Sequence, residues 1–246
     1  MVPTLASRIK AFLQIHNPDC VAYDLPFGCP GWLEGMIQAD IFIRAGAAKR
    51  ILVIGAETLS RVIDPHDRDS MIFSDGGGAA ILEAGTGDQG TIAHKTQTFA
   101  VDRIMDLQMG NSLSTNNGDD NLYIKMNGRR VYEFALTNVP LAIKTVLDNA
   151  GVDITEIRKV LIHQANDKMD AAILARLFKL YKQPVPENIM PMTIQWLGNS
   201  SVATIPTLLN MVLEGNLDGH QVEKGDKVIF ASVGAGMNIN ALLYQF

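Results

Sequence analysis

Helix-like and strand-like segments alternate from one end of this sequence to the other. That alternation constrains the fold more than any other feature, because strands joined through helices assemble into sheets with helices on their faces. An amphipathic start at 4–13 leads into the apolar, strand-like run "CVAYDL". A helical pattern then covers about 31–45 and is followed by the β-branched "RILVIGAE" at 50–57. Beyond the turn-rich "DPHDRD" come "IFSDGGGAAILEA" and "TIAHKTQTFAV". A loop rich in Asn, Ser, Asp and Gly at 110–121 precedes a long helical pattern from about 129 to 150. "RKVLIHQAN" (158–166), a helix over 167–182, "ENIMPM", a helix over about 201–214 and the closing "DKVIFASVGAGMNINALLYQF" complete the chain. The expected class is α/β.

The two halves echo one another. "KRILVIGAE" followed by "GGGAAILEA" resembles "RKVLIHQAN" followed by "GAGMNINALLY", which suggests a duplicated α/β unit. With 47% apolar and 19% charged residues, the 246-residue chain has material for a substantial core. No run reaches the roughly 18 apolar residues of a membrane span, and "MVPTLASRIKAFL" lacks the pattern of a secretory signal, so a cytoplasmic protein is expected. A net charge of −5 argues against general nucleic-acid binding, which relies on many Lys and Arg contacts to phosphate. It leaves room for an acidic partner met by a local basic patch. Two cysteines, Cys20 and Cys29, make neither a disulfide framework nor a thiolate-rich metal site.

Cys29 lies in "FGCPGW", where a strand-like run meets a helix. Proline is favoured just inside a helix start, which puts Cys29 at the helix N-terminus, where free N–H groups lower a thiol's pKa toward neutrality. A small apolar cysteine between layers explains the position equally well. Among five histidines, His163 in "KVLIHQAN" follows a strand pattern, on the rim where open α/β sheets gather ligand sites. It reads equally as a structural histidine. In "GNSS", Asn199 or Ser200 suits a helix N-cap, or Asn199 supplies an amide donor to a developing oxyanion. "VGAGMN" either needs glycine for a tight turn or brings a backbone N–H close to a substrate carbonyl. Gly76, Gly77 and Gly78 look phosphate-binding at first, but no Lys-Ser/Thr follows them.

Taken together, "FGCPG", "FSDGGGAA", "HQAN", "GNSS.ATIP" and "GAGM", in that order, resemble the β-ketoacyl-acyl carrier protein synthase III family of the thiolase-like fold. The resemblance runs along essentially the whole chain and corresponds to about the last three-quarters of a usual member. It implies a five-layer αβαβα architecture of two similar halves, residues 1–87 and 88–246, with the first half incomplete, acting as a homodimer. It also implies a catalytic set of Cys29, His163 and Asn199, with the backbone N–H groups of Cys29 and Ala235 as the oxyanion hole. The implied reaction joins an acyl group from acyl-CoA to malonyl-acyl carrier protein in fatty acid biosynthesis. Neither a cofactor nor a metal is called for. Related condensing enzymes of specialised lipid or polyketide synthesis, and a non-catalytic partner subunit, are the alternative readings.

The chain departs from the family's pattern at Pro30 and Trp32, where Trp32 is placed to reshape the pocket, and at "GMNINALL". After "HQAN", Lys168, Arg176 and Lys179 share one helix face. Such a face is ordinarily solvated, but its closeness to His163 marks Lys168 and Arg176 for docking an acidic carrier protein.

Overall fold

The computed structural model describes residues 2–114 and 120–246; part of the predicted 110–121 loop therefore lies outside the described residues. In chain order the helices are α1 (Leu5–Phe12), α2 (Gly31–Arg44), α3 (Gly128–Ala150), α4 (Asp167–Leu180), α5 (Ile194–Leu197) and α6 (Thr204–Leu213). The strands are β1 (Arg50–Thr58), β2 (Asp75–Glu83), β3 (Gly90–Thr98), β4 (Leu107–Gly110), β5 (Tyr123–Met126), β6 (Ile157–Ile162), β7 (Lys227–Gly234) and β8 (Asn238–Gln245).

Local chemistry sets many of these boundaries. Asn127 caps α3 by accepting from the Arg130 N–H, and Gly151 ends it at φ 65°, a left-handed conformation that glycine adopts without cost. Asn166, the last residue of "HQAN", caps α4 through the N–H groups of Lys168 and Met169.

Strands pair in the order β3-β8-β7-β6, with β6 parallel to β7 and the other pairs antiparallel. One face of this sheet carries α3 and α4 over a core of Ile143, Leu147, Leu177, Phe178, Ile229 and Ile239. Trp32, Leu33 and Ile37 of α2 and Leu208 and Val212 of α6 cover the other face. Val53, Ala80 and Leu82 of the antiparallel β1-β2 pair close over those two helices, giving the order αβαβ. On the outer face of that pair, Leu52, Ile54 and Ile81 are exposed, and no helix among the described residues lies over them.

Two readings of the sequence change. "CVAYDL" forms no strand and leaves Val21 and Tyr23 exposed, because a strand exists only where a neighbouring backbone shares its hydrogen bonds. The internal repeat is also placed differently. Strand β1 is antiparallel to β2, as β7 is to β8, and each pair follows a helix of the inner layer. The counterpart of "RILVIGAE" is therefore "KVIFASVG", not the strand that ends at His163. The β4-β5 hairpin flanking the predicted loop carried too short a pattern to be read from sequence. No described helix is long and apolar enough to cross a membrane.

Candidate active site

Gly28, at φ 67°, turns the chain into α2, so that Cys29 sits directly before the N-cap, Pro30, one position earlier in the helix than predicted. Buried Asn240 of β8 donates to the Pro30 carbonyl at 3.0 Å and ties the helix start to the sheet. A side chain on Gly234 of β7 would stand 2.6 Å from Pro30 Cδ and 3.0 Å from Cys29 Cβ. In "VGAGMN", Gly236 at φ 131° meets the requirement of a turn, while Gly234 is required by the close approach of the α2 start to β7.

The thiol's environment corrects the expectation drawn from the helix terminus. Burial pushes the Cys29 thiol above its ordinary value, Glu57 adds to the rise, and donation from Ser201 and from the residue's own N–H offsets it only partly. Removing a thiolate from water costs more here than the helix end returns.

His163 follows β6 and is buried, its backbone N–H bonded to the Ala231 carbonyl of β7 at 2.9 Å. Burial holds its imidazole down to about 4, a fall that the nearby Ser201 backbone only partly opposes. It is therefore neutral near pH 7, with one nitrogen able to donate and the other to accept. The adjoining Gln164 belongs to the scaffold. Its amide donates to the Pro191 carbonyl at 2.7 Å and accepts from Thr193 N at 2.8 Å, holding the segment that leads through α5 to Asn199.

Ser200 stands at the N-cap of a single 3-10 turn, Ser201–Ala203, that leads into α6, but no side-chain bond caps either segment. Buried Asn199 bridges to Phe73; its N–H donates to the Ile72 carbonyl at 2.8 Å, and its carbonyl accepts from Ser74 N at 2.9 Å. Its Oδ1 accepts from Ser201 N at 2.9 Å, which leaves the amide nitrogen as the side-chain donor. Ser201 in turn donates from Oγ to Cys29 Sγ at 3.2 Å. Thiol, imidazole and amide, drawn from three distant parts of the sequence, converge on one residue.

The glycines explain how the 199–206 segment fits here. A Cβ on Gly55 would meet the Val202 carbonyl oxygen at 2.6 Å, on Gly76 the Ser200 Cβ at 2.7 Å, and on Gly78 the Pro206 Cβ at 2.8 Å. The "GGG" run lets β2 pass beneath that segment and has no phosphate-cradling loop, since all three residues lie within the strand. Beside Gly28 and Ala235 opens a cleft of about 420 Å³ walled by Phe27, Ile104, Met105 and Leu107. Trp32 does not line it. This side chain is fully buried beneath β1 and β2, so its expected role in the pocket gives way to one in the core.

Lys168, Arg176 and Lys179 are exposed on α4. Arg176 is partly committed, donating to the Leu136 carbonyl of α3 at 3.2 Å. Asp170 on the same helix escaped the sequence reading. Its signal was there: Ile173, Leu174 and Leu177, at helical spacings from it, form the buried stripe. Fully buried and without a well-formed hydrogen bond, its carboxyl is pushed up to about 8 by desolvation. The folded state thus holds a proton that the unfolded chain releases above about pH 4. Its contribution to stability therefore falls as pH rises from about 4 to 8. Asp170→Asn should raise the melting temperature relative to wild type by several degrees more at pH 8 than at pH 5, as calorimetry would show. Among the described residues, no group of three or more His, Cys, Asp or Glu side chains is arranged to hold a metal.

Two sheets with helices between them, and a thiol at the start of a helix of the inner layer, define the thiolase-like class of condensing enzymes. The structure matches 3-oxoacyl-acyl carrier protein synthase III from Aquifex aeolicus with a TM-score of 0.83 at 28% identity, over 98% of this chain and 71% of that one. Against β-ketoacyl-acyl carrier protein synthase III from Thermus thermophilus the TM-score is 0.86 at 29% identity, over 100% and 73%. The 3-oxoacyl-acyl carrier protein synthase III family profile matches residues 23–99, and the profile of that enzyme's C-terminal region matches 147–246. The sequence is 33% identical to the β-ketoacyl-acyl carrier protein synthase III of Streptococcus gordonii, over 99% of this chain and 73% of that protein. With the corresponding protein of Thermosynechococcus vestitus it shares 34% identity, over 95% and 70%. The chain belongs to the β-ketoacyl-acyl carrier protein synthase III family, and is an acyltransferase.

Proposed function

We propose that this chain joins an acyl group from acyl-CoA to malonyl-acyl carrier protein by decarboxylative condensation, the step that gives 3-oxoacyl-acyl carrier protein in fatty acid biosynthesis. Cys29 is the nucleophile, with His163 and Asn199 as donors to the second substrate. The observation that carries this is the convergence of Cys29, His163 and Asn199 on Ser201, beside the apolar cleft. Family membership supports the same reaction.

In the first half-reaction, the Cys29 thiol loses its proton and the sulfur attacks the thioester carbonyl. The carbon–sulfur bond to CoA breaks, and CoA departs as the thiol, taking up a proton. The tetrahedral oxyanion is held by the N–H groups of Cys29 and Ala235, and the acyl chain lodges in the cleft walled by Phe27 and Leu107. Malonyl thioester then loses CO2, and the electrons of the broken bond pass to its carbonyl oxygen. The neutral His163 ring and the Asn199 amide stabilise that enolate as donors. A histidine neutral at working pH suits this task, since it donates without taking a proton from the donor substrate. The enolate carbon attacks the acyl group, the new carbon–carbon bond forms and Cys29 sulfur leaves. No bound cofactor enters these steps.

The same proposal divides the chain into halves at 1–87 and 88–246, each built on its own sheet, and has it work as a homodimer in the cytoplasm. Incubating the protein with a panel of acyl-CoAs and weighing it intact tests the reading. An acyl adduct confined to the peptide with Cys29 supports it, and the chain length that loads fastest reports the cleft's preference. Absence of any adduct would refute it.

Acidic carrier protein docks on α4 through Lys168 and Arg176. Charge reversal at both, Lys168→Glu with Arg176→Glu, should raise the apparent KM for carrier-bound malonate in a manner that weakens with added salt, and leave acyl-CoA loading nearly unchanged. An unaltered KM would take this helix out of the docking surface.

A further inference from the structure

One residue outside the Cys-His-Asn set meets all three of its members. Ser201 Oγ donates to Cys29 Sγ at 3.2 Å, its N–H donates to Asn199 Oδ1 at 2.9 Å, and its backbone lies against the His163 ring. Ser201 is buried, and its φ of 53° is a left-handed conformation uncommon for a residue with a side chain. Such backbone persists where the surroundings over-determine it, and the Asn199 carboxamide does so here by holding the N–H.

We propose that Ser201 is a positioning residue for the nucleophile, its hydroxyl orienting the Cys29 sulfur and stabilising the thiolate once the proton has left. A half-buried thiolate needs groups that stabilise its charge. His163, neutral near pH 7, brings no positive charge to it, and the charge on Glu57 of β1 opposes ionisation. Ser201 is the side-chain donor that opposes the cost of burial, aided by the N–H of Cys29 itself. A hydrogen bond to an ionised sulfur is stronger than one to the neutral thiol, so its effect falls on the step in which the charge develops. The left-handed turn also ties the aim of that hydroxyl to the placement of Asn199. The residue that helps acylation is thereby fixed by the one that serves decarboxylation.

This inference rests on the reading of Cys29 as the nucleophile, and it is tested without substrate. Alkylation of Cys29 by iodoacetamide, followed peptide by peptide across pH in wild type, Ser201→Ala and Ser201→Gly, reads the thiol itself. Both variants lack the hydroxyl, and glycine adopts the left-handed conformation freely, so it carries the test if alanine does not fold. In each folded variant the alkylation profile should move to higher pH, and single-turnover acyl loading at pH 7 should slow by about tenfold or more. Melting temperatures measured alongside separate this from loosened structure. A profile that superimposes on that of wild type in a folded variant overturns the proposal. A glycine variant that cannot fold overturns it too, by assigning Ser201 to the scaffold alone. Failure of the nucleophile reading would appear separately, as the lack of an acyl adduct on wild-type Cys29.

Discussion

Cys29→Ala is expected to abolish the acyl adduct entirely, while His163→Ala retains loading and loses condensation, and Asn199→Ala, which also releases the Ser201 N–H, loses more condensation than loading. Without sulfur there is no thiol to accept the acyl group, and the Ser201 hydroxyl that faces Cys29 in the wild-type chain is a far weaker nucleophile near neutral pH. The histidine and asparagine act later. Each supplies a donor to the enolate oxygen, and loss of one such donor typically costs about 10²–10³ in rate. Intact-protein mass spectrometry of the loading step and a carrier-protein product assay, run on the same preparations, separate the two half-reactions. Equal losses in both for the His163 and Asn199 variants would show that these residues serve acylation too.

The second large effect should come from glycines that touch no substrate. Gly76→Ala and Gly78→Ala each force a methyl group into space already filled, by the Ser200 Cβ at 2.7 Å and by the Pro206 Cβ at 2.8 Å. Overpacking of this kind costs about 1–3 kcal/mol, and each kcal/mol lowers the melting temperature of a domain this size by roughly 2–4 °C. The displaced segment is the one that carries Asn199 and Ser201, so condensation should fall together with stability. Gly77 is the internal control. A Cβ there has nothing within 4 Å, and alanine in a strand interior is favoured over glycine by roughly 0.5–1 kcal/mol. Gly77→Ala should therefore melt no lower than wild type. If all three variants melted alike, close packing of β2 against the 199–206 segment would not be what requires glycine.

The order and kind of the main elements could be read from the sequence, as could the residue types on which the proposed reaction depends. Alternating β-branched runs, the cap at Asn166 and the glycine that ends α3 are local signals, and each works through neighbours within a few positions. Cys29 before a helix and His163 after a strand were legible for that reason. Pairing and burial are not local. That β1 corresponds to β7, that Trp32 belongs to the core, and that "CVAYDL" has no strand beside it depend on segments far apart in the chain. The thiol shows the difference most clearly. Its position at a helix start argued for a lowered pKa, but burial against Gly234 and the influence of Glu57 reversed the direction. Asp170 and Ser201 escaped notice for the same reason, since an acid on an apolar stripe and a serine in a turn acquire their character only from what is packed against them. Sequence by itself determined the fold class, because periodicity and capping are written in adjacent residues, and its family motifs put forward Cys29, His163 and Asn199 for the proposed reaction. Only the tertiary structure decided their protonation, their mutual contacts and the neighbours of each strand, because desolvation and hydrogen bonding across the core are set by residues brought together from afar.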